Sequence, residues 1–132
     1  MENKRLGSLA VYRQAVDLST MAWEIYKKLP FQFQIQIGKQ FLNSVDSIGA
    51  NIAEGFGRFH YKDSTKFYYN SRGSLFEAKH WVYLLKKRNL IEENSYDLMM
   101  KSLLREGLIL NIFINSLKSR SKNQLPPNLQ EP

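Results

Sequence analysis

Residues 37–58 read IGKQFLNSVDSIGANIAEGFGR, and this stretch decides the fold class. Its apolar residues recur at three- and four-residue steps, which is the repeat of a helix that buries one face. A glycine follows at position 57, where helices commonly end. The stretch therefore predicts an amphipathic helix. Its expected buried face comprises Ile37, Phe41, Val45, Ile48, Ile52 and Phe56.

The same periodicity predicts three more helices. The first spans about residues 9–29 and stops before Pro30, whose ring cannot continue a helix. The third spans about 63–88, and the fourth about 94–120. The expected buried residues are Tyr12, Ala15, Val16, Ser19, Trp23 and Tyr26 in the first helix, Phe67, Ser71, Ser74, Ala78, Val82 and Leu85 in the third, and Met99, Leu103, Leu110, Phe113 and Leu117 in the fourth.

The order of these helices predicts an all-α fold. No segment alternates with period two, and the predicted connections are only a few residues long, so consecutive helices are expected to run antiparallel. We therefore predict an antiparallel up-down-up-down four-helix bundle that forms one domain over residues 1–120. Residues 121–132 are polar and contain three prolines, which predicts a disordered C-terminal tail.

Composition excludes several classes of function. The 132 residues include no cysteine and two histidines, which removes thiol chemistry and argues against structural zinc. No apolar run approaches the roughly 20 residues that cross a bilayer, and no signal-peptide pattern opens the chain. We expect a cytoplasmic protein with no cofactor, no metal and no catalytic residue.

Positive charge is concentrated in the third predicted helix. The chain carries +7 overall, and residues 61–90 hold seven basic side chains against two acidic ones. Such a surface can attract phosphate backbones, although cations at a helix C-terminus also offset the helix dipole. The candidate nucleic-acid-binding residues are Arg58, Lys62, Lys66, Arg72, Lys79, Lys86, Lys87 and Arg88.

A polar strip runs beside the apolar face of the second helix. One interpretation is a ligand or nucleic-acid contact; the other, which we favour, is a hydrogen-bonded network between helices, with Glu54 paired to Arg58 or across to Arg72. The candidate network comprises Gln40, Ser47, Asn51, Glu54, Arg58, Arg72, Ser74 and Glu77.

Two helices carry a second apolar face. Aromatic residues recur at seven-residue steps on the third helix, and leucine and isoleucine recur on the fourth, away from their predicted core stripes. Subunit packing accounts for these faces best, and base stacking on single-stranded nucleic acid is the alternative. The candidate oligomer interface comprises Tyr69, Phe76, Tyr83, Leu104, Leu108 and Ile112.

Three short motifs carry a resemblance to a known family. They are Leu9-x-Val11-Tyr12-x-x-Ala15, the run from Gln40 that continues Ser47-Ile48-x-x-Asn51-Ile52-Ala53-Glu54-Gly55-x-Gly57-Arg58, and Arg72-Gly73-Ser74-Leu75-x-Glu77. Over about residues 9–117 the chain resembles the bacterial four-helix-bundle proteins encoded in intervening sequences of 23S ribosomal RNA genes, sometimes labelled an S23 ribosomal protein. The Asn-Ile-Ala-Glu-Gly run followed by Arg-Gly-Ser is the most specific part of the likeness.

The resemblance implies a barrel-like homopentamer with a basic surface. Similar proteins include the accessory subunit of diversity-generating retroelements, which partners a reverse transcriptase and binds nucleic acid. This sequence departs from the pattern at Leu42 and Asn43, where paired arginines usually follow the second-helix glutamine. That departure leaves the basic residues from Arg58 to Arg72 as better candidates for a nucleic-acid contact.

These observations lead to one main hypothesis and two alternatives. The main hypothesis is a non-enzymatic homo-oligomer, a pentamer on the resemblance, whose basic surface binds RNA or DNA, alone or with a protein partner. The first alternative is a protein–protein assembly module without nucleic-acid binding. The second is an enzyme, which would require a carboxylate site at Glu54 and Glu77.

Overall fold

The computed structural model describes residues 5–58 and 60–123 of the chain, and these ranges contain four long helices and no strand. A 3-10 turn at Leu6–Ser8 precedes them. The all-α prediction is confirmed. The helices are α1, Ala10–Lys28; α2, which joins an α-helical turn at Phe31–Phe33, a π-helical segment at Gln34–Gly38 and an α-helix at Lys39–Phe56; α3, Tyr61–Lys87; and α4, Glu93–Asn123.

The helices close around one core. Helix α1 packs against α2 and α4, and α3 packs against the same two helices. The contact between α2 and α3 is the most extensive of the four. None of the helices in the described ranges combines the length and the apolarity that a membrane crossing requires.

Several helix ends differ from the prediction. The sequence predicts a short connection over residues 30–33 between the first two helices, and this is wrong: the backbone N–H groups of Phe33 and Gln34 donate to the carbonyl oxygen of Pro30, at 2.9 and 3.1 Å, and start α2 there. Helix α4 runs past residue 120 to Asn123, and residues 124–132 of the predicted tail lie outside the described residues.

The buried face of α2 is largely as predicted. Ile37, Phe41, Val45, Ile48 and Ile52 are buried, and only Phe56 is half-buried. In α4 the predicted core residues Met99, Leu103 and Leu110 are buried, while Phe113 and Leu117 are half-buried. The strong three- and four-residue repeat of large apolar side chains identifies the core face in both helices.

The predicted face of α1 is wrong in part. Ala15 is buried as predicted, but Val16 and Trp23 are 44% and 47% exposed, and the other buried residues are Val11, Leu18 and Ala22. Small side chains face inward because α1 lies close to α2: a β-carbon added to Gly49 would stand 3.4 Å from that of Ala15. Large residues were weighted too heavily in the prediction. Likewise on α3, the predicted core residues Phe67 and Ser74 are half-buried, while their neighbours Tyr68 and Leu75 are buried.

Gly55 sets the distance between α2 and α3. A β-carbon at this position would stand 2.6 Å from Cε1 of Tyr68 and 3.0 Å from the carbonyl oxygen of Ser64. Further along the same contact, the buried Ser71 hydroxyl group donates to the carbonyl oxygen of Ile48 at 2.8 Å. The glycine of the Asn-Ile-Ala-Glu-Gly motif is therefore required by packing, since no larger residue fits against the tyrosine ring.

We expect Gly55→Ala to lower the free energy of unfolding by about 1–3 kcal/mol, because the added methyl group must displace the ring of Tyr68. Gly73→Ala is the matched control. Gly73 lies within α3 with open space around it, so alanine there should raise the free energy of unfolding by about 0.5–1 kcal/mol. Urea unfolding of both variants measures the difference, and equal effects would contradict this account of Gly55.

Candidate nucleic-acid interface

Aromatic and basic residues alternate along one face of α3, and we call this face the cation–aromatic stripe. It comprises Tyr69, Arg72, Phe76, Lys79, Tyr83 and Lys86, which follow at three- and four-residue steps. The cations lie over aromatic rings: Cζ of Arg72 is 5.1 Å from the ring centroid of Tyr69, and Nζ of Lys79 is 4.4 Å from that of Phe76. These distances are those of cation–π contacts. The predicted aromatic line and the predicted basic residues thus share one surface.

The stripe forms one wall of a groove between α3 and α4. The groove has a volume of about 280 Å³, and its two walls meet where Leu75 approaches Gly107. The predicted interface residues around it are well exposed: Phe76 is 60%, Leu104 51% and Leu108 68% exposed. The groove therefore offers apolar side chains and cations side by side. Its lining residues are Arg72, Leu75, Phe76, Lys79, Leu104, Gly107, Leu108 and Asn111.

The remaining predicted interface residues differ in exposure. Tyr83 on α3 is 46% exposed and Ile112 on α4 is 69% exposed, whereas Tyr69 is half-buried. Tyr69 is partly covered because cations from two helices lie over its ring. Tyr69 therefore belongs to a cationic part of the surface that adjoins the apolar groove.

The cationic part joins α3 to α4. Arg72 donates from Nη1 to Oδ1 of Asn111 at 3.4 Å, and Nζ of Lys118 lies 5.7 Å from the ring centroid of Tyr69. A hydrogen bond with Tyr69 raises the pKa of Lys118, so this ammonium group keeps its charge. Lys118 was absent from the sequence candidates. The seven-residue step from Asn111 to Lys118 was its only sequence signal, because the chain gives no direct indication that α4 places these residues beside Tyr69.

Most of these cations lack an acidic partner. The ion pairs among the described residues are Lys27 with Glu24, Arg58 with Glu54 and Lys86 with Glu93, at 3.1, 2.6 and 3.7 Å. Within the described ranges, no carboxylate lies within 4 Å of Arg72, Lys79 or Lys118. The groove consequently keeps an unneutralised positive charge.

Two predicted binding residues have other contacts. Arg58 pairs with Glu54 and lies 4.8 Å from the ring centroid of Phe67. Lys86 contacts Glu93 and also lies 4.4 Å from the ring centroid of Tyr96, so it links α3 to the start of α4. Both cations are already partly neutralised, which makes them weaker candidates for a phosphate contact.

The other predicted basic residues lie away from the groove centre. Lys66 lies near the start of α3, with Nζ 5.7 Å from the ring centroid of Phe67, and Lys62 is exposed one turn before it. Lys87 and Arg88 are exposed at the end of the same helix. They extend the positive surface along α3 but do not converge on one point.

Of the two pairings predicted for Glu54, the one with Arg58 is confirmed and the one across to Arg72 is wrong. Asn51 donates from Nδ2 to the carbonyl oxygen of Ser47 at 2.9 Å, and Glu54 pairs with Arg58, so these contacts stay within one helix. Gln40 is exposed. Arg58 is the member of the strip that reaches a neighbouring helix, where its guanidinium group lies over the ring of Phe67.

The α3 members of the predicted polar network also have different partners. Glu77 accepts a hydrogen bond from Nε1 of Trp81 at 3.2 Å, again within one helix. Arg72 reaches α4 at Asn111 instead of Glu54, and Ser74 is half-buried. Glu54 and Glu77 therefore have separate partners on separate helices.

One buried acid was missed by the sequence reasoning. Glu106 lies on the core face of α4 between Leu103 and Leu110, and all three are 0% exposed. Neither carboxylate oxygen has a hydrogen-bond partner among the described residues. Burial raises the pKa of the Glu106 carboxyl group to about 8. Its three- and four-residue spacing from the two leucines was the available signal, but an acid at such a position is normally assigned to the surface.

Comparison with known proteins agrees with this architecture. No curated protein matches the chain. A solved structure of a protein of unknown function from the S23 ribosomal protein family of Bacteroides thetaiotaomicron has a TM-score of 0.75 and 24% sequence identity, and the alignment covers 80% of this chain and 98% of that one. At this identity the likeness shows a shared fold. The family model described as 23S rRNA-intervening sequence protein matches residues 7–111, which include Gly55 and most of the α3–α4 groove. The chain therefore belongs to the 23S rRNA-intervening sequence protein family.

Proposed function

We propose that this protein is a non-enzymatic scaffold that assembles with copies of itself and binds RNA or DNA in the groove between α3 and α4. The supporting observation is a set of three cations along that groove, Arg72 and Lys118 at the end near Tyr69 and Lys79 beside Phe76, which have no carboxylate within 4 Å among the described residues. Phosphate groups would neutralise these cations and release counterions from the nucleic acid. Neighbouring aromatic rings add surfaces on which bases can stack.

The two ends of the groove suit two different partners, a second copy of the protein and a nucleic acid. Leu104 and Leu108 are exposed beside Phe76, and exposed apolar groups of this kind favour a second protein copy. Asn111 and Lys118 lie further along α4. The helix rises about 1.5 Å per residue, so Leu104 and Lys118 are separated by roughly 20 Å along its axis. A subunit contact at the leucines would thus leave the cationic end open.

The arrangement of helices and subunits is part of the same proposal. We infer an antiparallel up-down-up-down order, because the connections between consecutive helices span only a few residues. Five copies in a barrel are proposed on the resemblance to the family. In such a ring the unneutralised cations would repeat around the assembly, and multivalent contacts would strengthen binding of a long strand.

A protein partner is the second candidate function. A cavity of about 460 Å³ lies where the last turns of α1 meet the connection between α3 and α4. Its lining is largely apolar, with Met21, Ile25, Leu90 and Ile91 among its residues, and Leu98 at its edge is 53% exposed. A cavity of this size and character can receive a side chain of another protein.

We expect Arg72→Gln together with Lys118→Gln to weaken binding of a single-stranded RNA at least tenfold. The slope of log K against log salt should fall by about 1.4, because each phosphate contact on a single strand contributes about 0.7. Fluorescence anisotropy across a salt series measures both quantities. The matched control, Lys28→Gln with Lys39→Gln, removes the same charge from exposed sites on α1 and α2.

Two outcomes would contradict parts of this proposal. Equal losses in the two double variants would mean that the overall charge attracts the strand and that the groove has no special role. If the unmodified protein ignores RNA and DNA even at low salt, nucleic-acid binding is wrong and the protein-partner function remains.

We expect Leu104→Gln with Leu108→Gln to dissociate the assembly into monomers of 15.5 kDa. Both side chains are more than half exposed in the protomer, so the fold itself should lose little stability. Light scattering measures the mass, and Ile35→Gln, at an exposed position on α2, serves as the control. A monomeric unmodified protein would contradict the proposed assembly.

A further inference from the structure

Glu106 is the one charged side chain that is fully buried among the described residues. Its two carboxylate oxygens have no hydrogen-bond partner there. A buried ionised carboxylate without a partner loses its hydration and gains nothing in return. The observed packing therefore fits a neutral, protonated carboxyl group and does not fit a charged one.

The buried serine hydroxyl groups are not free to stabilise the charged form. The buried hydroxyl groups of Ser44, Ser64 and Ser71 donate to backbone carbonyl oxygens, at 2.7, 3.1 and 2.8 Å. Each hydroxyl hydrogen is therefore already used. A carboxylate at Glu106 could be hydrated only if water entered the core or if the side chain left it.

No charge on the neighbouring helices compensates Glu106. The buried residues that α1 contributes are Val11, Ala15, Leu18 and Ala22, and those of α2 are likewise uncharged. Tyr68 is the titratable residue buried on α3, and burial raises its pKa to about 12, so it stays neutral. The half-buried cations Arg72 and Lys79 of α3 lie over the rings of Tyr69 and Phe76.

We propose that Glu106 makes the packing of α4 depend on its own proton: the neutral carboxyl group holds α4 in the core, and ionisation releases the helix. Helix α4 is the element that can respond. Its contacts with α1 and α3 are less extensive than those of α2 with the same two helices, so it is the less firmly packed of the two.

The direction of the effect follows from the raised pKa. Between the ordinary value of 4.5 and about 8, the folded protein binds the Glu106 proton more tightly than the unfolded chain does. The contribution of Glu106 to the free energy of unfolding is therefore complete at a pH below its pKa in the unfolded chain. This contribution is lost as the pH rises towards the pKa of Glu106 in the folded protein. Neutral pH lies between these two pKa values and is closer to the upper one.

Release of α4 from the core would also displace residues of the proposed binding surface. The same helix carries Leu104 and Leu108 on its exposed face and Asn111 and Lys118 at the cationic end of the groove. On the function proposed above, mildly alkaline pH would loosen both the subunit contact and the nucleic-acid contact. The proton dependence of α4 itself does not rest on that function.

A direct test follows the carboxyl carbon of Glu106 by NMR in the full-length protein without nucleic acid. We expect its midpoint well above that of the exposed glutamates. Hydrogen exchange, corrected for the intrinsic rate, should then show core amides of α4 opening roughly a hundredfold more at about pH 9 than at about pH 6, while those of α2 change little. A midpoint near the ordinary value would overturn the proposal.

Two variants separate ionisation from packing. Glu106→Gln keeps the shape of the side chain but cannot ionise, so its α4 exchange should lose the dependence on pH. Glu92→Gln removes the same charge from an exposed position before α4 and should behave like the unmodified protein. If Glu106→Gln retains the full pH dependence, another group causes it and the proposal fails. If Glu106→Gln does not fold, the NMR midpoint of the unmodified protein decides alone.

Discussion

The close approach of α2 and α3 is the constraint on which the rest of the structure depends. Gly55 allows the ring of Tyr68 to lie against the backbone of α2, and the Ser71 hydroxyl group bonds to the carbonyl oxygen of Ile48. These contacts fix both the distance and the rotation of α3 relative to α2. Because α3 is held in this rotation, Phe76 and Tyr83 are exposed and Tyr69 lies at the edge of the core, and Arg72 and Lys79 can lie over the rings of Tyr69 and Phe76.

Two properties of α4 follow from its place beside α3. Its outer face adds Leu104, Leu108 and Asn111 to the groove, while its inner face brings Glu106 into the core. One helix therefore carries these exposed apolar residues and the buried carboxyl group of Glu106. Any change in the packing of α4 therefore shifts both its inner and its outer face, since a rigid helix moves as one body.

The sequence was sufficient for the four helices and for the core faces of α2 and α4, because large apolar residues repeat there without competition. On α1 it identified Ala15 but missed Leu18 and Ala22, and it placed Val16 and Trp23 in the core although both are exposed. Residue size is a poor guide when helices approach closely. Lys118 and Glu106 were missed for a different reason: a charge acquires its role from neighbours that are distant in sequence. The helix that carries the basic residues could thus be predicted from the sequence, but the arrangement of those residues into a binding site could not.

The π-helical segment at Gln34–Gly38 has a consequence for how this chain tolerates insertions and deletions. A π turn bonds residue i to i+5, so it accommodates one more residue than an α turn without ending the helix. The extra residue rotates everything before it by about 100° relative to everything after it. Removing one residue from this segment could restore a regular α-helix, and the core face from Phe41 to Ile52 would keep its register. The altered rotation would fall instead on Phe31 and on the two-residue connection to α1, so a change of length in this segment would leave the core face that follows it in place.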